Sequence, residues 1–251
     1  MKIDLTDKVA LVTGSAHRVG KAIALELARH GVHILVHSFR SADDVVRGTL
    51  RDIKSEGVEA YAVQADLTTR EGVDSTFAAV RDHFGRLDVL VNSASNFQKR
   101  QLLEVTLEEW NETLAANLTA PFLCTQQAVP LMRANDPPGG CIVNIGDKGA
   151  LEPWPEYAHH GISKAGLLAL SQVSAASLGP DIRVNTIIPG AVLKPDFYSA
   201  ERWQQSGQNV PLKTVGSAED VARAVVYLCG ESFLTGVVLR VDGGAYLSTH
   251  G

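Results

Sequence analysis

The chain is short of cysteine, has no excess of basic charge and contains no long apolar run, and each absence removes a class of protein. Its three cysteines, Cys124, Cys141 and Cys229, each sit inside an apolar run that reads as helix or strand. An odd, buried-looking set of this kind is not a disulfide framework; it fits a reducing compartment, so a cytoplasmic protein is expected. The net charge of −5 argues against a nucleic-acid or anionic-membrane surface, so basic residues are read locally, as anion sites. No apolar stretch approaches the ~20 residues that a bilayer crossing needs. Residues 1–5 lead straight into the first strand-like run without a signal-peptide pattern, and a soluble chain is expected. Repeats and low-complexity tracts are also missing, as is any linker long enough to separate a second domain from the first. With 45% hydrophobic and 20% charged residues, the 251-residue chain has the material for one large core and is read as a single domain over 1–251.

Short β-branched runs alternate with longer helical patterns from end to end. Strand-like runs fall at 9–13, 33–37, 59–64, 88–92, 141–145, 183–187 and 237–241, and helical patterns at 19–29, 42–55, 71–83, 107–132, 160–177 and 218–228. Alternation of this kind, with nearly continuous apolar strands, predicts an α/β fold: a Rossmann-like, doubly wound parallel sheet of about seven strands with helices on both faces. Asn135-Asp136-Pro137-Pro138-Gly139-Gly140 is turn chemistry before a strand. The one long irregular region, 191–210, follows a strand; loops at strand carboxyl ends border the ligand crevice of such sheets, so it reads as a substrate lid, with a merely solvated insertion as the plainer alternative.

Val9 to Thr13 is an apolar strand running into Gly14, and Gly20 opens a helical pattern. A strand, a glycine-bearing turn and a helix N-terminus present backbone N–H groups and a positive dipole end to a pyrophosphate. At the end of the second strand, an acid would bond a ribose 2′-hydroxyl, whereas arginine accommodates a 2′-phosphate. No acid stands there. Arg40 with Ser41 offers a charged fork and a hydroxyl donor, which points to NADP(H); an exposed arginine opening a helix is the alternative.

Thr13-Gly14-Ser15-Ala16-His17-Arg18-Val19-Gly20 resembles the Thr-Gly-x-x-x-Gly-x-Gly fingerprint of the short-chain dehydrogenase/reductase family, with Arg18 in place of the middle glycine. Arginine at that place, and the run His37-Ser38-Phe39-Arg40-Ser41, resemble the pteridine-reductase branch, in which the arginine lies near the cofactor phosphates and the substrate. Asp66-Leu67 resembles the adenine-binding turn, Asn92-Ser93-Ala94-Ser95 the segment after the fourth strand, Pro189-Gly190-Ala191-Val192 the backbone that holds the carboxamide, and Asp242-Gly243-Gly244 the closing turn. The resemblance spans essentially the whole chain. It implies cofactor contacts from Gly14, Ser15, His17, Arg18, Val19, Gly20, His37, Phe39, Arg40, Ser41, Asp66, Leu67, Asn92, Ser93, Ala94, Lys164, Pro189, Gly190 and Val192.

In that family a tyrosine exchanges the substrate proton, a lysine four residues later lowers its pKa and holds the ribose, a Ser or Asp orients the substrate, and an Asn bends a helix around a relay water. By resemblance Lys164 is the lysine, Asn117 the asparagine and Asp147 the aspartate, while Phe97 matches an aromatic on which a pterin ring stacks and Ser95 and Arg18 join it at the substrate. Phe97 reads equally as a loop aromatic covering the core. The tyrosine position holds His160, and Pro153-Trp154-Pro155-Glu156-Tyr157 fixes the register, so Tyr157 is an upstream tyrosine rather than a slipped catalytic one. Beside Lys164 and an oxidised nicotinamide, His160 would feel two positive neighbours that push its pKa below the ~6.5 reference. Only the cation would be a competent acid, which predicts faster reduction as pH falls.

Three readings of the site compete: His160 is a general acid, Asp147 or Tyr157 supplies the proton instead, or the chain binds NADP(H) as a sensor or partner subunit. A solvated helix position is the bland reading of His160. If the helix already ran through Tyr157, that residue would lie about 60° around the axis and ~4.5 Å along it from His160, in the same pocket. His159 and His160 are adjacent and point to different faces of a helix, with no Cys or carboxylate at ligand spacing, so no metal is expected. The expected function is hydride transfer to a small C=N or C=O substrate, with a pterin-like heterocycle favoured and 3-oxoacyl or other ketones as alternatives. The resemblance also implies a homodimer or tetramer, paired through the helical stretches at 107–132 and 160–177. In the second of these, the small residues Ser174-Ala175-Ala176-Ser177 permit close helix approach or a tight internal contact.

Overall fold

The computed structural model describes residues 2–194 and 198–248. Seven strands, β1 (Val9–Val12), β2 (His33–Ser38), β3 (Ala60–Gln64), β4 (Val89–Asn92), β5 (Gly140–Ile145), β6 (Ile182–Pro189) and β7 (Val238–Val241), form one sheet in the order β3-β2-β1-β4-β5-β6-β7. Every pairing is parallel. The helices are α1 (Arg18–Arg29), α2 (Asp43–Lys54), α3 (Arg70–Phe84), α4 (Leu107–Leu114), α5 (Ala120–Arg133), α6 (Ala158–Leu178), α7 (Ala200–Gly207) and α8 (Ala218–Gly230), with a helical turn at Ala245–Ser248.

The strands are apolar on both faces because both faces are covered. Ala10, Val12, Val89, Val91, Cys141 and Val143 pack with Ile23, Leu27, Val221 and Leu228 of α1 and α8, while Val9, Leu11, Leu90 and Ile142 meet Phe77, Cys124 and Met132 of α3 and α5 on the other side. All three cysteines are buried and unpaired, in α5, β5 and α8. No described helix is long and apolar enough to cross a membrane.

The expected elements are present, with three departures. The helical pattern at 107–132 is divided by a π-helical turn, Ala115–Thr119, which widens the backbone ring around Asn117. Helix α6 starts at Ala158 with Tyr157 as its N-cap, so the helical spacing supposed between Tyr157 and His160 does not apply. The region expected to be irregular, 191–210, carries α7, whose Ser199 N-cap accepts from the Arg202 N–H; positions 195–197 of it lie outside the described residues.

Candidate active site

The strand order reverses between β1 and β4, the place where open parallel sheets bind ligands. Thr13 Oγ1 accepts from the backbone N–H groups of Ser93 (2.9 Å) and Ala94 (3.0 Å), closing the loop after β1 onto the loop after β4. The approach leaves no room for side chains. A Cβ on Gly14, which has φ +65°, would fall 2.9 Å from Ala94 Cα, and one on Gly20 would fall 2.3 Å from the Gly14 carbonyl oxygen. Helix α1 begins here with His17 as N-cap, no side-chain cap and no acid in its first turn, so its first N–H groups are left without side-chain partners. Arg18 holds a left-handed φ of +57°, the conformation for which glycine is the ordinary choice, and its side chain is exposed.

His37 is a brace for this cradle. Its Nδ1 accepts from the Gly14 N–H (3.1 Å), and its Nε2 lies 3.1 Å from the Ala65 carbonyl, which fixes the proton on Nε2. Burial pushes its pKa down to about 4, so the ring is neutral. Both ring nitrogens of this expected cofactor residue are therefore committed to the protein. Arg40 is exposed beyond it, its guanidinium 4.4 Å over the Phe39 ring. One Asp66 oxygen accepts from Thr68 and shapes the turn; Asn92 donates to Asn144 (2.7 Å); Gly190, where a Cβ would fall 2.6 Å from Asp242 Cα, ties its N–H to Val241.

At the far end of the crevice stand His160 and Lys164, one turn apart on α6, with Asp147 just past β5. Lys164 Nζ donates to the Ile145 carbonyl at 2.9 Å, and burial drives its pKa down to about 8 against the pull of Asp147. Burial pushes the Asp147 carboxyl up, but the nearby His160, the Gly149 N–H and the charge of Lys164 outweigh it and hold the group below the ordinary carboxylate value. The imidazole of His160 is 2% exposed, which overturns the solvated-residue reading. Its Nδ1 lies 3.0 Å from the Asn96 carbonyl oxygen, whereas Nε2 has no hydrogen-bond partner among the described residues and lies 3.8 Å from Asp147 Oδ2. Besides the positive neighbours expected for it, His160 thus has a carboxylate on the Nε2 side.

Phe97 rests edge-on against His160, ring centroids 4.7 Å apart, and is stacked at 4.6 Å on Tyr157, which in turn lies 4.2 Å from Trp154. Tyr157, expected as a possible proton source, has its ring in this wall, and one face of Phe97 is already covered by it. The wall is held by backbone: Arg100 and Tyr157 form a parallel bridge, with Arg100 N–H to the Glu156 carbonyl at 2.8 Å and Ala158 N–H to the Arg100 carbonyl at 3.2 Å. Lys148 Nζ caps Trp154 at 4.1 Å. Sequence reasoning missed Asn96, which acts through its backbone, and Trp154, whose only signal was its place between two prolines. Ser95 joins the cluster through Asn117, its hydroxyl donating to Asn117 Oδ1 at 3.1 Å.

A glycine cradle at the sheet's switch point, with a lysine, a histidine and a carboxylate gathered past β5 and on α6, is a site of the doubly wound class. The signature of the family described as enoyl-(acyl carrier protein) reductase matches residues 14–246. The chain is 35% identical to 3beta-hydroxysteroid dehydrogenase 1 of Eggerthella lenta, over 97% of this chain and 95% of the other. It is 31% identical to the 3-oxoacyl-(acyl-carrier-protein) reductase FabG of Staphylococcus aureus, over 96% and 98%. Among solved structures, L-sorbose reductase of Gluconobacter frateurii, complexed with NADPH and L-sorbose, superposes with a TM-score of 0.89 at 31% identity, over 97% and 98% of the two chains. A short-chain alcohol dehydrogenase of Sinorhizobium meliloti gives 0.90 at 31% identity, over the same shares. The chain belongs to the short-chain dehydrogenase/reductase family.

Proposed function

We propose that this protein is an NADPH-dependent reductase of a small C=N or C=O substrate, in which His160 replaces the family's tyrosine as proton donor and Asp147 is its partner. The observation that carries this reading is the buried, unpartnered Nε2 of His160, 3.8 Å from an Asp147 carboxylate held in its charged form. One substrate heteroatom at about 2.8 Å from each group would bridge that gap. Only a protonated Nε2 can give up a proton, and the Asp147 carboxylate lies beside it.

The glycine cradle and uncapped α1 fit a dinucleotide: Gly14 and Gly20 let the turn pack on Ala94 and on itself, where a Cβ would clash, and the first turn of α1 keeps backbone N–H groups without side-chain caps for a pyrophosphate. Gly14, Ser15, His17, Arg18, Val19 and Gly20 would hold it there, Arg40 and Ser41 would meet the 2′-phosphate, and Asp66, Leu67, Asn92, Ser93 and Ala94 would line the adenosine end. Lys164, Pro189, Gly190 and Val192 would hold the nicotinamide half. When bound, the reduced nicotinamide supplies the hydride. His160 gives a proton from Nε2 to the substrate heteroatom, Asp147 steadies the charge, and the aromatic wall excludes water from one side.

Arg18, Phe97 and Asp147 together favour a planar, pterin-like heterocycle; the carbonyl-reducing activities named for the relatives make ketones the second substrate class. Helix α7, with the described residues of 191–210 around it, closes over the substrate in this reading, and pairing of α4, α5 and α6 with a second copy gives the dimer or tetramer. The test is NADPH oxidation against a panel of pterins and ketones from pH 5 to 8. Turnover that rises toward low pH is the expected result. Intact NADPH binding with no turnover on any substrate would replace the reductase with a non-catalytic NADP(H) sensor.

A further inference from the structure

The structure assigns Asn117 and the Asn96 peptide a positioning role: together they lock the His160 ring with its proton on Nδ1, which leaves Nε2 as the atom that faces Asp147. Hydrogen-bond chemistry fixes each step. Asn117 Oδ1 lies 2.7 Å from the Asn96 N–H, a donor, and Asn117 Nδ2 lies 2.9 Å from the Asn96 carbonyl, an acceptor, so the amide cannot be flipped. The second hydrogen on Nδ2 goes to Ser163 Oγ at 3.0 Å, and Ser163 in turn donates to the His160 carbonyl at 2.6 Å.

Both amide hydrogens are thus engaged at short range, so the 3.4 Å contact between Asn117 Nδ2 and His160 Nδ1 is not the bond that sets the ring. The remaining polar neighbour of Nδ1 is the Asn96 carbonyl at 3.0 Å, which can only accept. Nδ1 therefore carries the hydrogen. Asn117 is fully buried on the π-helical turn between α4 and α5, and that turn delivers its side chain to the peptide after β4. A backbone carbonyl here orients the imidazole from its far nitrogen, as second partners orient histidines elsewhere.

The test is nitrogen-15 NMR of histidine-labelled full-length protein, with the His160 signals assigned by comparison with His160→Gln. In the neutral ring of the wild type, Nδ1 should be of the protonated, pyrrole type and Nε2 of the bare, pyridine type, the reverse of the preference of free histidine. Asn117→Ala should move the ring toward the Nε2–H form and lower kcat by at least about tenfold with KM for NADPH unchanged. If that variant does not fold, Asn117→Ser takes its place.

A wild-type ring protonated on Nε2 overturns the lock, as does an unchanged tautomer in the folded variant. The turnover arm rests on His160 as proton donor, and the spectroscopic arm does not. A pyrrole-type Nδ1 in a protein without turnover retires the proposed donor and keeps the lock, while turnover with an Nε2–H ring does the opposite.

Discussion

His160 Nε2 and Asp147 Oδ2 lie 3.8 Å apart, with no hydrogen-bond partner on the nitrogen and a Gly149 N–H at 2.8 Å on the other carboxylate oxygen. In the proposed reading a substrate heteroatom would bridge the two, about 2.8 Å from each. If the pair is the acid, His160→Ala lowers kcat by about 10²- to 10⁴-fold, the usual worth of a positioned proton donor. NADPH affinity, followed by fluorescence titration, stays within about twofold of wild type. Wild-type turnover in this variant would remove His160 from the chemistry.

Asp147→Asn tests the partner. The carboxylate stays charged across the neutral range because its pKa is held below the ordinary value. Removing that charge should lower kcat at neutral pH by about tenfold or more while NADPH affinity stays near wild type. An unchanged kcat would separate the two residues.

Lys164 makes a stability prediction whose sign follows from its burial. Its folded pKa of about 8 lies below the ordinary lysine value of 10.5, so between those limits the unfolded chain binds more protons and stability rises with pH. The cost of the buried ammonium is fully present below pH 8. Lys164→Met should therefore raise Tm at pH 7 by several degrees, flatten the rise in stability between pH 8 and 10.5, and abolish turnover. Calorimetry across pH separates these outcomes.

Arg40 makes the cofactor choice testable without any substrate. Arg40→Ala should weaken NADPH binding by about 10- to 100-fold, the worth of a charge-assisted hydrogen bond, while leaving NADH binding nearly unchanged. Equal losses for both dinucleotides in calorimetric titration would refute the 2′-phosphate contact.

Arg18→Gly relieves a non-glycine residue held at φ +57°. The backbone should gain about 1 kcal/mol, seen as an increase in denaturation midpoint. At the same time the affinity for NADPH should fall and depend less steeply on salt, because one cation has left the crevice mouth.

The sheet was legible because parallel strands buried on both faces write continuous apolar runs, and β1 through Gly14 to α1 is such a run ending in a glycine that nothing else can replace. The candidate site was legible where side chains build it, as with Asp147, His160 and Lys164, which the structure brings together. It was not legible where backbone does. Nothing in the letters around Asn96 announces that its carbonyl meets an imidazole, and the helical pattern at 107–132 does not mark the single π turn within it. Helix α7 was hidden for another reason: it is short and polar, and only its serine cap marks it.

The bridge between Arg100 and Tyr157 joins the two segments that carry the aromatic wall through main-chain atoms alone. Rings at Phe97, Trp154 and Tyr157 hang on that frame like panels. Exchanging them for larger, smaller or aliphatic groups leaves the lacing intact, so the wall proposed to meet the substrate is open to redesign without rebuilding the apparatus behind it.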